Sequence, residues 1–143
     1  MGIVFRPARP ADAERLVGLV EELGCPTPLV GVEMRLARLL ARPDQAVFVA
    51  EEGGELLGWI HVQEFLSLAS DPAGLVTGLV VDPAARRRGL GRGLIGAAED
   101  WSRARGLTSS RLRARVARKE AHAFYQRLGY TLAKKQLQFR KPL

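Results

Sequence analysis

Leu79-Val80-Val81-Asp82-Pro83-Ala84-Ala85-Arg86-Arg87-Arg88-Gly89-Leu90-Gly91-Arg92-Gly93 is the stretch that decides how this chain folds. Leu75 to Val81 (LVTGLVV) is rich in β-branched residues and reads as a strand, closed by Asp82-Pro83. A loop follows with glycines at alternate positions 89, 91 and 93 and arginines at 86, 87, 88 and 92. Leu90, Leu94, Ala97, Ala98 and Trp101 then recur at helical spacing, and Gly106 sits where a C-cap glycine belongs. A strand that feeds a helix through such a loop leaves unpaired backbone N–H groups at the positive end of the helix dipole. Glycines let the backbone come close to an anion, and arginines add charge-assisted hydrogen bonds. A pyrophosphate is the natural guest.

Three phosphate loops share this outline. A Walker loop ends in Gly-Lys-Ser/Thr, which is absent here. A dinucleotide fingerprint is matched by Gly91, Gly93 and Gly96, but about ten residues after the strand instead of directly behind it. The third is the [Gln/Arg]-x-x-Gly-x-[Gly/Ala] signature, matched by Arg86 to Gly91.

Working outward, Ile3 to Arg6 reads as a short strand, and Pro10 and Asp12 suit a helix start. Ala13, Leu16, Val17, Val20 and Leu23 lie on one helical face, ended by Gly24 and Pro26. Val32, Leu36, Leu39 and Leu40 mark a second helix, stopped before Pro43. Ala46 to Glu51 and Leu56 to Glu64 form a hairpin around Gly53-Gly54. Beyond the phosphate loop, Ser110 to Val116 alternates as a strand, and Glu120 to Leu128 is a short helix capped by Gly129. Tyr130 to Phe139 reads as one last strand or hairpin arm. The order β-α-α-β-β-β-α-β-α-β predicts a mixed sheet with helices on its faces, α/β or α+β in class, as one domain over residues 1–143.

A second motif, Ala121-His122-Ala123-Phe124-Tyr125-Gln126-Arg127-Leu128-Gly129-Tyr130, follows at a fitting distance. It is similar to Ala-x-x-Phe-Tyr-x-x-x-Gly-[Phe/Tyr]. With the phosphate loop, it makes the sequence resemble the GNAT family of acetyl-CoA-dependent N-acetyltransferases over nearly its whole length. The resemblance implies a mostly antiparallel central sheet flanked by helices. It implies that Arg86, Arg87, Arg88, Gly89, Leu90, Gly91 and Arg92 hold the pyrophosphate of acetyl-CoA. It implies that Leu79, Val80 and Val81 pair by backbone with the pantetheine arm, and that Phe124 lies against the cofactor. Arg118 stands where family members often carry Asn; an arginine there still suits an anion, but the Asn contact does not carry over.

The implied reaction moves an acetyl group from CoA sulfur to an amine by direct attack in a ternary complex. Tyr125 matches the family tyrosine near the sulfur and is the candidate general acid. A phenol has a pKa of about 10 and a thiol about 8.5, so full proton transfer is uphill by about 2 kcal/mol, which does not bar the role. The acidic residue common on the third strand is replaced by Thr77 and Gly78, neither of which acts as a base. His61 and Glu64 on the preceding strand are the candidate bases, and at three residues apart they face opposite sides of a regular strand. A water chain to bulk solvent is the alternative to both.

Lys plus Arg is 22 against 15 for Asp plus Glu, a net charge of +7 that attracts phosphates. A nucleic-acid binder is disfavoured by 6% aromatic content and the lack of a recognised motif. Cys25 is the single cysteine, which excludes an internal disulfide and any multi-cysteine metal site. The two histidines with Asp71 and Glu64 make no recognisable metal site either. No apolar run approaches the roughly 20 residues of a membrane span, and no signal peptide is evident, so a cytoplasmic enzyme without a membrane partner is expected. A small-molecule or peptide amine is the expected acceptor. A non-catalytic acyl-CoA-binding module of the same fold is the alternative. Lys134 to Leu143 is a candidate edge strand for a homodimer, as is common in the family.

Overall fold

The computed structural model describes residues 2–24, 26–114 and 119–143. Two compact units are formed by residues 1–113 and 114–143. The first unit runs β1 (Val4–Pro7), α1 (Ala13–Glu21), α2 (Leu29–Leu40), β2 (Gln45–Glu52), β3 (Glu55–Ser67), β4 (Ser70–Val81), α3 (Leu90–Ala104) and β5 (Ser110–Leu112). Its five strands lie in sequence order, antiparallel from β1 to β4, with β5 parallel to β4. The mixed, mostly antiparallel sheet is the expected one.

Period-two alternation assigns the two faces. Val47, Val49, Trp59 and Val80 pack with Leu16 and Leu19 of α1 and Val32 and Leu36 of α2. The opposite face carries α3: a side chain at Gly58 would meet Leu94, one at Gly74 would meet Ser102, and one at Gly93 would run into the Phe5 ring. Ile60, Leu90, Leu94 and Ile95 are fully buried. The Gly53-Gly54 turn has φ of 59° and 87°, the left-handed pair that a two-residue hairpin requires.

Three expectations change. The strands expected over Leu56 to Glu64 and Leu75 to Val81 are longer, because β3 and β4 continue as a hairpin until Ser67 pairs with Ser70. Pro72 is tolerated there because the pairing of β4 with β5 begins only at Gly74, so Pro72 lies on an edge. The strand expected over Ser110 to Val116 is shorter, Ser110–Leu112, and residues 115–118 lie outside the described residues, Arg118 among them. No strand forms in residues 130–143, where Leu132, Leu137 and Phe139 are exposed. Alternation there is real, but among the described residues it has no neighbouring strand to pair with, and an isolated strand is not stable.

In the second unit α4 covers Lys119–Arg127 and ends at Gly129 with φ 94°. Among the described residues, no helix is long and apolar enough to cross a membrane.

Candidate active site

The turn from β4 into α3 is built by its own backbone. Asp82 donates its N–H to the Leu57 carbonyl at 2.8 Å, and its carboxylate accepts from the Ala84 N–H at 2.9 Å. One 3-10 turn, Pro83–Ala85, leads to an extended Arg86. Arg87 has φ 67° and Gly89 φ 77°, so left-handed residues alternate just before the helix. Such alternation turns successive N–H groups to one side and makes a concavity for an anion. The Gly93 N–H reaches the Gly89 carbonyl at 3.0 Å. The amides of Leu90, Gly91 and Arg92 are therefore the open first turn of α3.

Two of the alternate glycines serve different ends. Gly89 supplies the positive φ, while Gly93 gives room to Phe5. The Leu90 side chain is core, only 1% exposed, so its amide alone can meet a ligand. Arg88 is bound to Glu52 at 2.6 Å. Arg86, Arg87 and Arg92 are exposed, with no ion pair among the described residues. A pyrophosphate fits this set, having three helix amides and three free guanidinium groups.

From that loop, β4 leads to an opening in the sheet. β5 pairs with Gly74, Leu75 and Val76 and stops at Leu112. The register of β4 against β3 shifts between Val76 and Gly78, which leaves Thr77 as an extra residue in a bulge. The Gly74 N–H points at Ser109 of the β5 side. Counting back from Asp82, which bonds β3, Val80 and Gly78 also turn their backbone groups to β3. Leu79 and Val81 therefore turn theirs to the side where β5 has ended and no described residue pairs with them. An extended pantetheine arm can add to such an edge by main-chain hydrogen bonds, as an added strand would. The Val80 side chain is buried in the core, so this residue faces away from that edge in both senses.

The two candidate bases part company. His61 lies on the α1–α2 face, and its Nε2 is 2.6 Å from Gln45 Oε1. Its Nδ1 is 2.7 Å from Thr77 Oγ1. Burial pushes the His61 pKa below the ordinary histidine value, so the ring is neutral near pH 7. Glu64 lies on the α3 face and is held by Arg105 at 2.8 Å, with the Arg105 guanidinium also stacked on Trp101. The sequence reading missed Thr77, Gln45 and Glu52, whose contacts span 16 to 36 residues of chain. The Trp59 ring covers Gly78, where a Cβ would lie 2.7 Å from it.

An open depression of about 310 Å³ adjoins the loop between α1 and Asp82-Pro83, with Arg15, Gly18, Glu22 and Leu56 on its walls. None of residues 77–81 lines it.

In α4, Phe124 and Tyr125 rings lie 5.5 Å apart, and Tyr125 meets Tyr130 edge-on at 6.5 Å. The Tyr125 carbonyl accepts from both Leu128 and Tyr130 N–H at 3.0 Å, closing the helix at Gly129.

A family model described as the acetyltransferase (GNAT) family matches residues 16–130. An aminoglycoside N(6')-acetyltransferase type 1 from Stenotrophomonas maltophilia is 31% identical over 144 residues, spanning 97% of this chain and 93% of that protein. A protein of the same name from Klebsiella aerogenes is 30% identical over 111 residues, 76% of this chain and 73% of that one. A solved structure of AAC(6')-Iy in complex with the bisubstrate analogue CoA-S-monomethyl-acetylneamine superposes with a TM-score of 0.88 over 100% of both chains at 20% identity. That likeness is one of fold.

Proposed function

Because the chain belongs to the GNAT family of acetyltransferases, we propose that it moves an acetyl group from acetyl-CoA to a primary amine of a small molecule, first among candidates an aminoglycoside. The observation that carries this reading is the open first turn of α3 continuing into the β4 edge at Leu79 and Val81, which has no pairing partner among the described residues. A pyrophosphate at one end and an extended arm along the other are the two recognition needs of CoA. The names of the relatives support the acceptor class.

The amine attacks the thioester directly in a ternary complex. A backbone N–H on the open edge polarises the acetyl carbonyl, where charge develops. Tyr125 supplies a proton, or a hydrogen bond, to the departing thiolate. His61 is the base on this reading. Glu64 is set aside, since protonating it would sacrifice its pair with Arg105 on the far face of the sheet.

The test is a calorimetric titration with acetyl-CoA followed by a CoA-release assay over aminoglycosides, polyamines and peptides. Acetyl-CoA binding lost in Gly89→Glu, with release that depends on an aminoglycoside, supports the reading. Binding without acceptor-dependent release from any of them favours the alternative module, which the lack of a carboxylate at Thr77 and Gly78 motivates.

A further inference from the structure

We propose that Thr77 is a catalytic residue of the transfer, carrying the proton of the attacking amine to His61 Nδ1, with Gln45 fixing the ring so that this nitrogen can accept it. The proposal rests on the transferase reading and adds to it the group that meets the amine.

The hydrogen-bond chain determines its own polarity. Gln45 donates through Nε2 to Gln63 Oε1 at 3.4 Å, which leaves Gln45 Oε1 facing His61. A carbonyl oxygen only accepts, so His61 Nε2 carries the hydrogen. In a neutral ring Nδ1 is then the acceptor, and the hydroxyl 2.7 Å away donates to it. The competing acceptor for that hydroxyl, the His61 carbonyl, lies farther off at 3.4 Å. The ring is thus held as a base with its lone pair on Thr77, and Thr77 has a vacant lone pair and an exposed side chain.

Position completes the argument. Thr77 is the bulged residue at the point where β4 parts from β5, two residues before the open amide of Leu79. His61 is half-buried and cannot be approached as easily as the hydroxyl in front of it. It meets Val47 across β2 and Gly78 across β4, along with Gln45 and Thr77, and none of these carries a charge. The carboxylate next to Gln45 and the one three residues past His61 are engaged elsewhere, Asp44 with Arg42 and Glu64 with Arg105.

The step balances. The amine nitrogen bonds to the acetyl carbon, and the carbon–sulfur bond breaks with its electron pair leaving on sulfur. The ammonium proton passes to Thr77 Oγ1 while the Thr77 hydroxyl proton passes to His61 Nδ1. His61 becomes an imidazolium that donates to Thr77 from Nδ1 and to Gln45 from Nε2. It returns its proton to solvent after product release.

The experiment compares Thr77→Val, Thr77→Ser and His61→Gln with the parent enzyme, using the best acceptor found. Acetyl-CoA affinity is read by calorimetry and kcat is followed from pH 5 to 9. Thr77→Val is expected to lower kcat by about 10²-fold or more, the range of a lost proton-transfer group, while acetyl-CoA affinity stays within about threefold. Thr77→Ser keeps the hydroxyl and restores most of the rate. The parent's kcat should rise with pH through a pKa below about 6.5, the ordinary histidine value, and both Thr77→Val and His61→Gln should lack that limb. Parental kcat in Thr77→Val, or a folded Thr77→Ser with no rescue, overturns the relay alone. Acetyl-CoA binding with no acceptor-dependent turnover in the parent overturns the transferase reading and the relay with it.

Discussion

The Arg88 guanidinium meets the Glu52 carboxylate at 2.6 Å, so one arginine of the phosphate loop is neutralised by the far end of β2. The pair is exposed, which makes it a weak contributor to stability. Its main effect is on local potential. Glu52→Gln should lower the acetyl-CoA KM by about two- to fivefold at low ionic strength, and the gain should fade in high salt as the interaction is screened. Titrations at two salt concentrations check this. A rise in KM would mean that the pair acts chiefly as an anchor for the loop.

Gly89 adopts φ 77° with open space around the position of a Cβ. Gly89→Ala therefore costs only the left-handed strain, about 1–2 kcal/mol, and should lower Tm by roughly 3–8 °C. Gly89→Asn should lose less, since asparagine tolerates this region better. Gly93→Ala differs in kind, because its methyl group meets the Phe5 ring instead of a backbone restriction. Thermal melts of the three variants separate the two causes, and equal losses at Gly89 for Ala and Asn would contradict the assignment.

Asp12 is only 1% exposed and is held by both Arg6 amines at 2.8 and 2.9 Å, by Arg15 at 2.9 Å and by the Arg9 N–H at 2.8 Å. Hydrogen bonds from Arg6 hold its pKa below the ordinary aspartate value. A depressed carboxyl pKa contributes stability that is complete above the unfolded value of about 3.9 and is lost as pH falls below it. Asp12→Ala should cost about 3 kcal/mol at pH 7, because Arg6, Arg15 and the Arg9 N–H all lose a buried carboxylate and Arg6 keeps only Glu51. The difference from the parent should shrink below pH 4. Denaturant melts at pH 7 and pH 3.5 test both statements, and a constant difference would sink the second.

Tyr125→Phe removes the hydroxyl and keeps the ring that packs on Phe124 and Tyr130. With the proposed acid role, kcat should fall by about 10²-fold while acetyl-CoA affinity stays within about threefold. A fall in affinity alone, at unchanged kcat, would leave this residue a packing role only.

Much of the candidate site could be read from sequence because its parts are local. The strand, the three glycines and the helix face of Leu90, Leu94 and Trp101 all lie within about two dozen residues. The Gly53-Gly54 turn and the glycine stop at Gly129 are each read from their own few residues. What escaped reading depends on register between distant segments. The bulge at Thr77 follows from how β4 fits β3, and the Thr77–His61–Gln45 chain follows from the bulge. The Arg6–Asp12–Glu51 cluster joins residues 45 apart. Alternation at Leu137 and Phe139 was misleading for the opposite reason, since a strand pattern does not supply a partner.

A single inserted residue in β4 divides the strand into two functional lengths. Before Thr77, the outward amides are spent on β5 and hold the sheet together; after it, the same row of groups is released to the surroundings. Substitutions on either side should therefore leave different signatures, in melting temperature for residues 73–76 and in donor affinity for residues 78–81. Deleting Thr77 itself would restore a regular alternation in which Gly78 follows Val76 directly, and the groups of Leu79 and Val81 would stay in the outward row. The protein would then keep its outward row while losing the local bend of the bulge and, with it, the exposed hydroxyl that faces His61.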